Sequence, residues 1–188
     1  MASVIRFDNW QNTDGTSIAT TNASGDITFA GAVAGAGKIL QVVSTTKTDT
    51  FTTSASSFTD ITGLSVSITP SSATSKVLII ASVTGSGDPS TKTSFVRLVR
   101  DSTAIAVGDT AGSRTRAFAS QYGTNLSTTV STSIVHLDSP STTSSTTYKI
   151  QGFAETTGTL YINRSENDID NYEYVRGASS ITVMEVSA

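Results

Sequence analysis

Between Leu64 and Thr69 the chain alternates strictly, with Leu64, Val66 and Ile68 apolar and Ser65, Ser67 and Thr69 polar, and the pattern stops at Pro70. A period of two places each set on its own face of an extended segment, so this stretch buries one side only as a β-strand; a helix would scatter the same residues around its axis. The constraint matters because Ser and Thr supply about a third of the 188 residues while charged residues supply 14%. Such a composition alone fits a disordered chain as well as a sheet. Alternation decides for the sheet, and the many Thr residues, β-branched and stiff at χ1, suit a half-buried pleated surface.

The same reading extends along the chain. Residues 76–83 contain the run Val77-Leu-Ile-Ile-Ala81, continuous rather than alternating and too short for a buried helix, which predicts a central strand covered on both faces. Residues 95–99 and 104–107 flank Asp101-Ser102 and predict a hairpin. Further strands are expected over 38–44, 49–53, 131–137, 148–153, 159–163 and 181–186. The total is roughly ten short strands with turn-rich gaps, which predicts an all-β protein built as a sandwich or jelly roll. Two long irregular stretches remain, 108–128 and 165–179, of a length usually tied to function or to a partner.

Residues 1–37 read differently. Two apolar patches, Val4-Ile-Arg-Phe7 and Asp26-Ile-Thr-Phe29, are separated by a polar stretch, which predicts two short strands with too little apolar surface to bury a core of their own. Such an arm needs a partner, and Ile5, Phe7, Trp10, Ile27 and Phe29 are the residues expected to dock it. The small, Gly-rich run Gly31 to Gly37 reads either as a linker or as a close crossing of several chains. The boundary is therefore expected between an arm over 1–37 and a main domain over 38–188.

Charge excludes several functions. The formal net charge is −3, and the 12 basic residues form no run beyond spaced pairs such as Arg97 with Arg100 or Arg114 with Arg116, so nucleic acid binding is not expected. There is no cysteine and hence no disulfide framework. Arg6 and Asp8 interrupt the segment that a secretory leader would keep apolar, and no stretch approaches the ~20 apolar residues of a membrane span. Neither secretion nor membrane insertion is expected; an extracellular location would be reached by cell lysis.

The residues that could carry chemistry are few. His136 is the sole histidine and lies in a strand context without a second ligand, which reads as a structural or surface residue. Glu166-Asn-Asp-Ile-Asp-Asn171 offers the hard oxygens that calcium takes, but it lacks the Gly and distal Glu of a calcium loop and reads as a solvated loop. Asp138, Glu155, Glu166, Asp168, Asp170 and Glu173 could in principle pair for glycoside cleavage, yet no repeat of the kind that builds long β-helical depolymerases is present. The run Thr84 to Pro89 has glycines but no Lys and no following helix pattern, so it is a turn. No catalytic residue, metal or cofactor is expected. Tyrosines in irregular stretches could stack on sugar rings, as flat apolar faces with a polar tip do. Tyr122 and Tyr172, with Asn125, are the candidate contacts to a receptor or glycan, whereas Tyr161 alternates within a strand and reads as packing.

Three stretches carry a resemblance: Gly37-Lys-Ile-Leu-Gln-Val-Val43, Phe58-Thr-Asp-Ile-Thr-Gly-Leu64 with its continuation through Pro70 to Leu78, and Arg176-Gly-Ala-Ser-Ser-Ile-Thr-Val-Met-Glu185. They resemble modules of tail-fibre and other virion surface proteins of marine tailed bacteriophages, including cyanophages. The arm, Asp8-Asn-Trp-Gln-Asn-Thr-Asp-Gly-Thr16 and Ala23 to Gly31, is similar to the β-rich stretches that lead into such modules. The resemblance implies a jelly-roll-like knob, homotrimeric about a shared axis, docked through its arm to other tail or capsid proteins and displayed on the virion surface, with host attachment through a cell-surface glycan as its function. The short arm favours a short tail fibre or fibre knob over a long fibre, with a capsid decoration or head fibre as the alternative and a polysaccharide depolymerase behind both.

Overall fold

The computed structural model describes residues 9–11, 17–21, 24, 27–29, 37–88, 94–122 and 125–188. Every regular element among them is a strand. The chain divides into two compact units, Met1–Gly37 and Lys38–Ala188.

The first unit is an antiparallel meander of β1 (Asn9–Gln11), β2 (Ser17–Thr21) and β3 (Ile27–Phe29). Two strands are expected from its apolar patches; β3 falls on the second patch, whereas β1 and β2 both lie in the polar stretch between the patches, β2 with Ile18 and Ala19 as its only apolar residues and with pairing on both edges to hold its backbone extended. The register aligns Trp10, Ala19 and Phe29 across the three strands, and Ala19 is buried. The patch Val4 to Phe7, with Ile5 and Phe7, lies outside the described residues.

The second unit holds β4 (Ile39–Lys47), β5 (Phe51–Thr53), β6 (Thr59–Ile68), β7 (Lys76–Gly87), β8 (Ser94–Arg100), β9 (Thr103–Ile105), β10 (Ala119–Ser120), β11 (Val130–Asp138), β12 (Thr146–Ala154), β13 (Leu160–Ile162) and β14 (Ser179–Val186). One sheet runs β6-β12-β8-β10, with β9 hairpinned onto β8 through Asp101, which takes the left-handed backbone at φ 52°. The other is organised on the 12-residue β7, flanked by β14 and then β13 along one edge and by β11 along the other, with β4 outside β14 and β5 outside β13. All pairings are antiparallel. The core between the sheets takes one set of each alternation: Ile61, Leu64, Val66, Ile68, Val96, Leu98, Tyr148 and Ile150 from the first, and Val77, Ile79, Ala81, Val83, Ile134, Ile181 and Val183 from the second. Each such aliphatic side chain removed from water contributes about 1.5–3 kcal/mol.

Two departures from the sequence reading have local causes. β6 begins at Thr59, not at Leu64, because Gly63 at φ +87° lets the strand cross a bulge opposite Lys149 and Gln151 and continue backward. β7 is central, with neighbours on both edges, but its apolar run is covered on one face only: Val77 and Ile79 are fully buried while Ile80 is 41% exposed. The β6-β12-β8-β10 sheet covers one face; the other is left partly open along Leu78 and Ile80 and closes toward Gly87, where Ser86 is fully buried and Gly177 lies against Thr84.

The registers also give the unit two ends. β4 and β7 run in the same direction on either side of β14, so Lys38, Lys76 and Val186 lie at one end, and Lys47, Gly87, Val130 and Ser179 at the other. The first end receives the chain from the N-terminal unit. The second carries residues 125–128 and the stretch between β13 and β14, whereas residues 106–118 leave β9 opposite Leu98 and rejoin β8 at Val96, so that β10 falls inside the stretch expected to be irregular over 108–128.

Candidate functional site

At the end away from Lys38, the stretch between β13 and β14 is fastened at its root by Asn163. This residue is fully buried and takes the left-handed backbone at φ 61°, a conformation that Asn tolerates better than most side chains. Its amide Nδ2 donates to the carbonyls of Lys47 and Asp49, both at 2.9 Å, and its Oδ1 accepts from Ser179 Oγ at 2.6 Å. Its backbone N–H donates to Thr84 O at 2.8 Å, and its carbonyl accepts from Gly177 N–H at 3.0 Å. A Cβ at Gly177 would lie 2.8 Å from Thr84 Cγ2, so any other residue there would have to displace the Thr84 side chain. Sequence reasoning reads Asn163 merely as a strand end; an Asn closing an apolar strand before a long loop is the signal that could have marked it as an anchor.

Above this root, Arg164 and Arg176 form an isolated antiparallel bridge, and both guanidinium groups converge on Asp168, Arg176 Nη2 at 2.6 Å and Arg164 Nη1 at 3.3 Å. Arg164 also lies over the Tyr161 ring, 4.8 Å from its centroid, and donates to the carbonyls of Ser165 and Glu166. The Glu166 carboxyl is held above its usual range, first by burial and then by the neighbouring Asp88 carboxylate, with Arg164 opposing. The loop is thereby shaped by side-chain bonds rather than by a ladder. It encloses a shallow concavity of about 300 Å³ lined by Asp168, Ile169, Asp170, Asn171, Tyr174, Val175 and Arg176. Tyr172 projects beside it, 96% exposed, with Ile169 and Val175 also open to solvent.

The candidate residues fall on this surface unevenly. Asn167 N–H donates to Leu126 O at 2.9 Å, which joins the stretch bearing Asn125 to the stretch bearing Tyr172. The Asn125 side-chain oxygen is already committed, accepting from Ser127 N–H, Ser127 Oγ and Thr128 N–H at 2.9 to 3.0 Å, so it shapes the turn. Tyr122 is half-buried next to the fully buried Gln121, whose amide donates to Thr132 Oγ1 at 2.8 Å. Trp10, Ile27 and Phe29 belong to the N-terminal unit. Tyr161 is half-buried under Arg164.

Residues that could do chemistry are kept apart or engaged. His136 stands half-buried in β11 opposite Ile79, and the nearest acid along that face, Asp138, is taken by Arg100 and Tyr148. Among the described residues no three of His, Cys, Asp and Glu gather as metal ligands, Asp168 and Asp170 included. No described helix is long and apolar enough to cross a membrane. No protein-family model matches this chain, and no curated protein is significantly similar to it in sequence.

Proposed function

We propose that this chain is an adhesive structural protein of a bacteriophage particle, a short tail fibre or fibre knob that attaches to a glycan of the host surface and has no enzymatic role. The observation that carries the reading is the polarity of the main unit: the chain enters at Lys38, at one end, and the joined loops bearing Asn125 and Tyr172 stand at the other. A module fastened by its N-terminal arm to another virion protein then turns those loops outward. The strand orders β4-β14-β7-β11 and β6-β12-β8-β10 support a jelly roll, since successive strands from β6 to β8 and from β10 to β12 step between the sheets as in paired Greek keys. Several copies on a shared axis raise weak glycan contacts to useful avidity through effective concentration.

Purified full-length chain, fluorescently labelled, should bind host cells. Tyr172→Ala removes an exposed ring worth about 1 kcal/mol per site in sugar stacking, about fivefold, and roughly a hundredfold when three linked sites lose it together. Because the side chain is 96% exposed, the far-UV spectrum and unfolding midpoint should not change. Undiminished cell binding by Tyr172→Ala would remove this loop from the attachment surface.

A further inference from the structure

The two sheets finish their outer faces differently. On the β6-β12-β8 sheet, Asp60 accepts from Lys149 Nζ at 2.7 Å and from Gln151 Nε2 at 2.6 Å, Gln151 accepts from Arg97 Nε at 2.9 Å, and that guanidinium lies 3.9 Å over the Phe58 ring. This face is suited to water. On the other sheet the register carries Val42, Met184, Leu78 and Leu137 in one row across β4, β14, β7 and β11. The next row is Ser44, Thr182, Ile80 and Val135, and the third is Thr46, Ser180, Ser82 and Ser133. Val135 is 64%, Val42 55% and Leu137 49% exposed.

We infer that this face is the surface through which copies of the chain associate. Three observations single out a second copy as the occupant. The apolar run in β7 is continuous, a pattern that belongs to strands buried on both sides, and within its own unit only the inner side is covered. The three rows contain none of the chain's 12 basic and 15 acidic residues. Uncharged rows can be buried between copies without stranding a charge, whereas a foreign partner is ordinarily selected by charge complementarity that these rows do not offer. Finally, four strands and three outward rows span about 400 Å² of sheet plane, which side-chain relief and the flanking row of Leu40 and Val186, closed at its rim by the exposed Lys76, extend toward the ~800 Å² that one partner gives to a standard interface. The proposed trimer supplies the expected stoichiometry, whereas the face rests on the exposure and register of its own strands.

Sedimentation equilibrium of the full chain at about 50 µM should show an oligomer, three chains on the reading above. Val135→Glu on β11 and Val42→Glu on β4, at exposed positions on opposite edges of the face, should each weaken association at least about a hundredfold, because each buries a carboxylate in the interface with no counter-charge facing it. Both should keep the strand signal in circular dichroism. Ser65→Glu, on the outer face of the other sheet and opposite Lys149, should leave association unchanged. A dimer that both substitutions dissociate would support the face and overturn only the trimer. A wild-type monomer at that concentration, or undiminished association of both variants, would overturn the inference.

Discussion

Asp138→Ala should lower the unfolding free energy by about 3 kcal/mol, a fall in Tm of about 9 °C for a chain of this size, measured at fixed chain concentration. Asp138, 7% exposed at the end of β11, sits under two donors: Arg100 Nη1 reaches its two oxygens at 2.9 and 2.8 Å, and the hydroxyl of the fully buried Tyr148 reaches Oδ2 at 2.7 Å. Burial and the bond to Asp138 both hold the Tyr148 hydroxyl protonated, and the same carboxylate raises the Arg100 pKa. Truncation leaves a buried hydroxyl without an acceptor and a partly buried guanidinium without a counter-charge, each a desolvation cost with nothing to offset it. Tyr148→Phe, which removes the donor and leaves the ion pair, should cost only about 1 kcal/mol. Denaturant unfolding should therefore rank Asp138→Ala well below Tyr148→Phe; equal costs would place the effect in the ring's packing rather than in the carboxylate.

Much of the sandwich is legible in the sequence because its strands obey short-range rules. Leu64, Val66 and Ile68 face the core as alternation demands, and the hairpin through Asp101 needs only two extended runs and a turn. What escapes such rules is set by pairing at long range. Ser17 to Thr21 become a strand because partners lie on both edges, not because of their own pattern, and the start of β6 depends on a bulge at Gly63 whose partner residues, Lys149 and Gln151, are far along the chain.

The candidate site is less legible for the same reason. Its aromatic tip, Tyr172, is visible as a tyrosine in a long irregular stretch, but the feature that makes the surface, the bond joining Asn167 to Leu126, spans about forty residues and has no local signature. Asn125 illustrates the opposite error: an amide in a loop suggests a ligand contact, and its oxygen is spent on its own turn. The exposed face of β7 is legible only indirectly, as a run too apolar for the single covered side.

Acid should weaken the fold through Glu185, and Glu185→Gln should abolish that part of the response. Glu185 is fully buried in β14, with Ser71 N–H and Oγ donating to Oε1 at 2.8 and 2.6 Å and Gln41 Nε2 donating to Oε2 at 2.6 Å, so the carboxylate ties the turn between β6 and β7 to the sheet. Burial by itself would push its pKa up, but the donors of Ser71, Gln41 and Ser75 together bring it down from 4.5 to about 2. A folded-state pKa below the unfolded one means that the unfolded chain binds the proton more tightly. The contribution is therefore complete above about pH 4.5 and is lost as pH falls toward about 2. The full drop would be worth about 3 kcal/mol, and screening at this end of the sheet brings the expected value nearer to about 2 kcal/mol. Asp60, held low first by its bond to Lys149, acts in the same direction but stands exposed and remains in both proteins. Wild type should thus exceed Glu185→Gln by about 2 kcal/mol at pH 7 and converge with it near pH 2, since an amide turns a donor toward the serine groups and binds no proton. Parallel stability curves for the two proteins across that range would show that the carboxylate is not the group that acid releases.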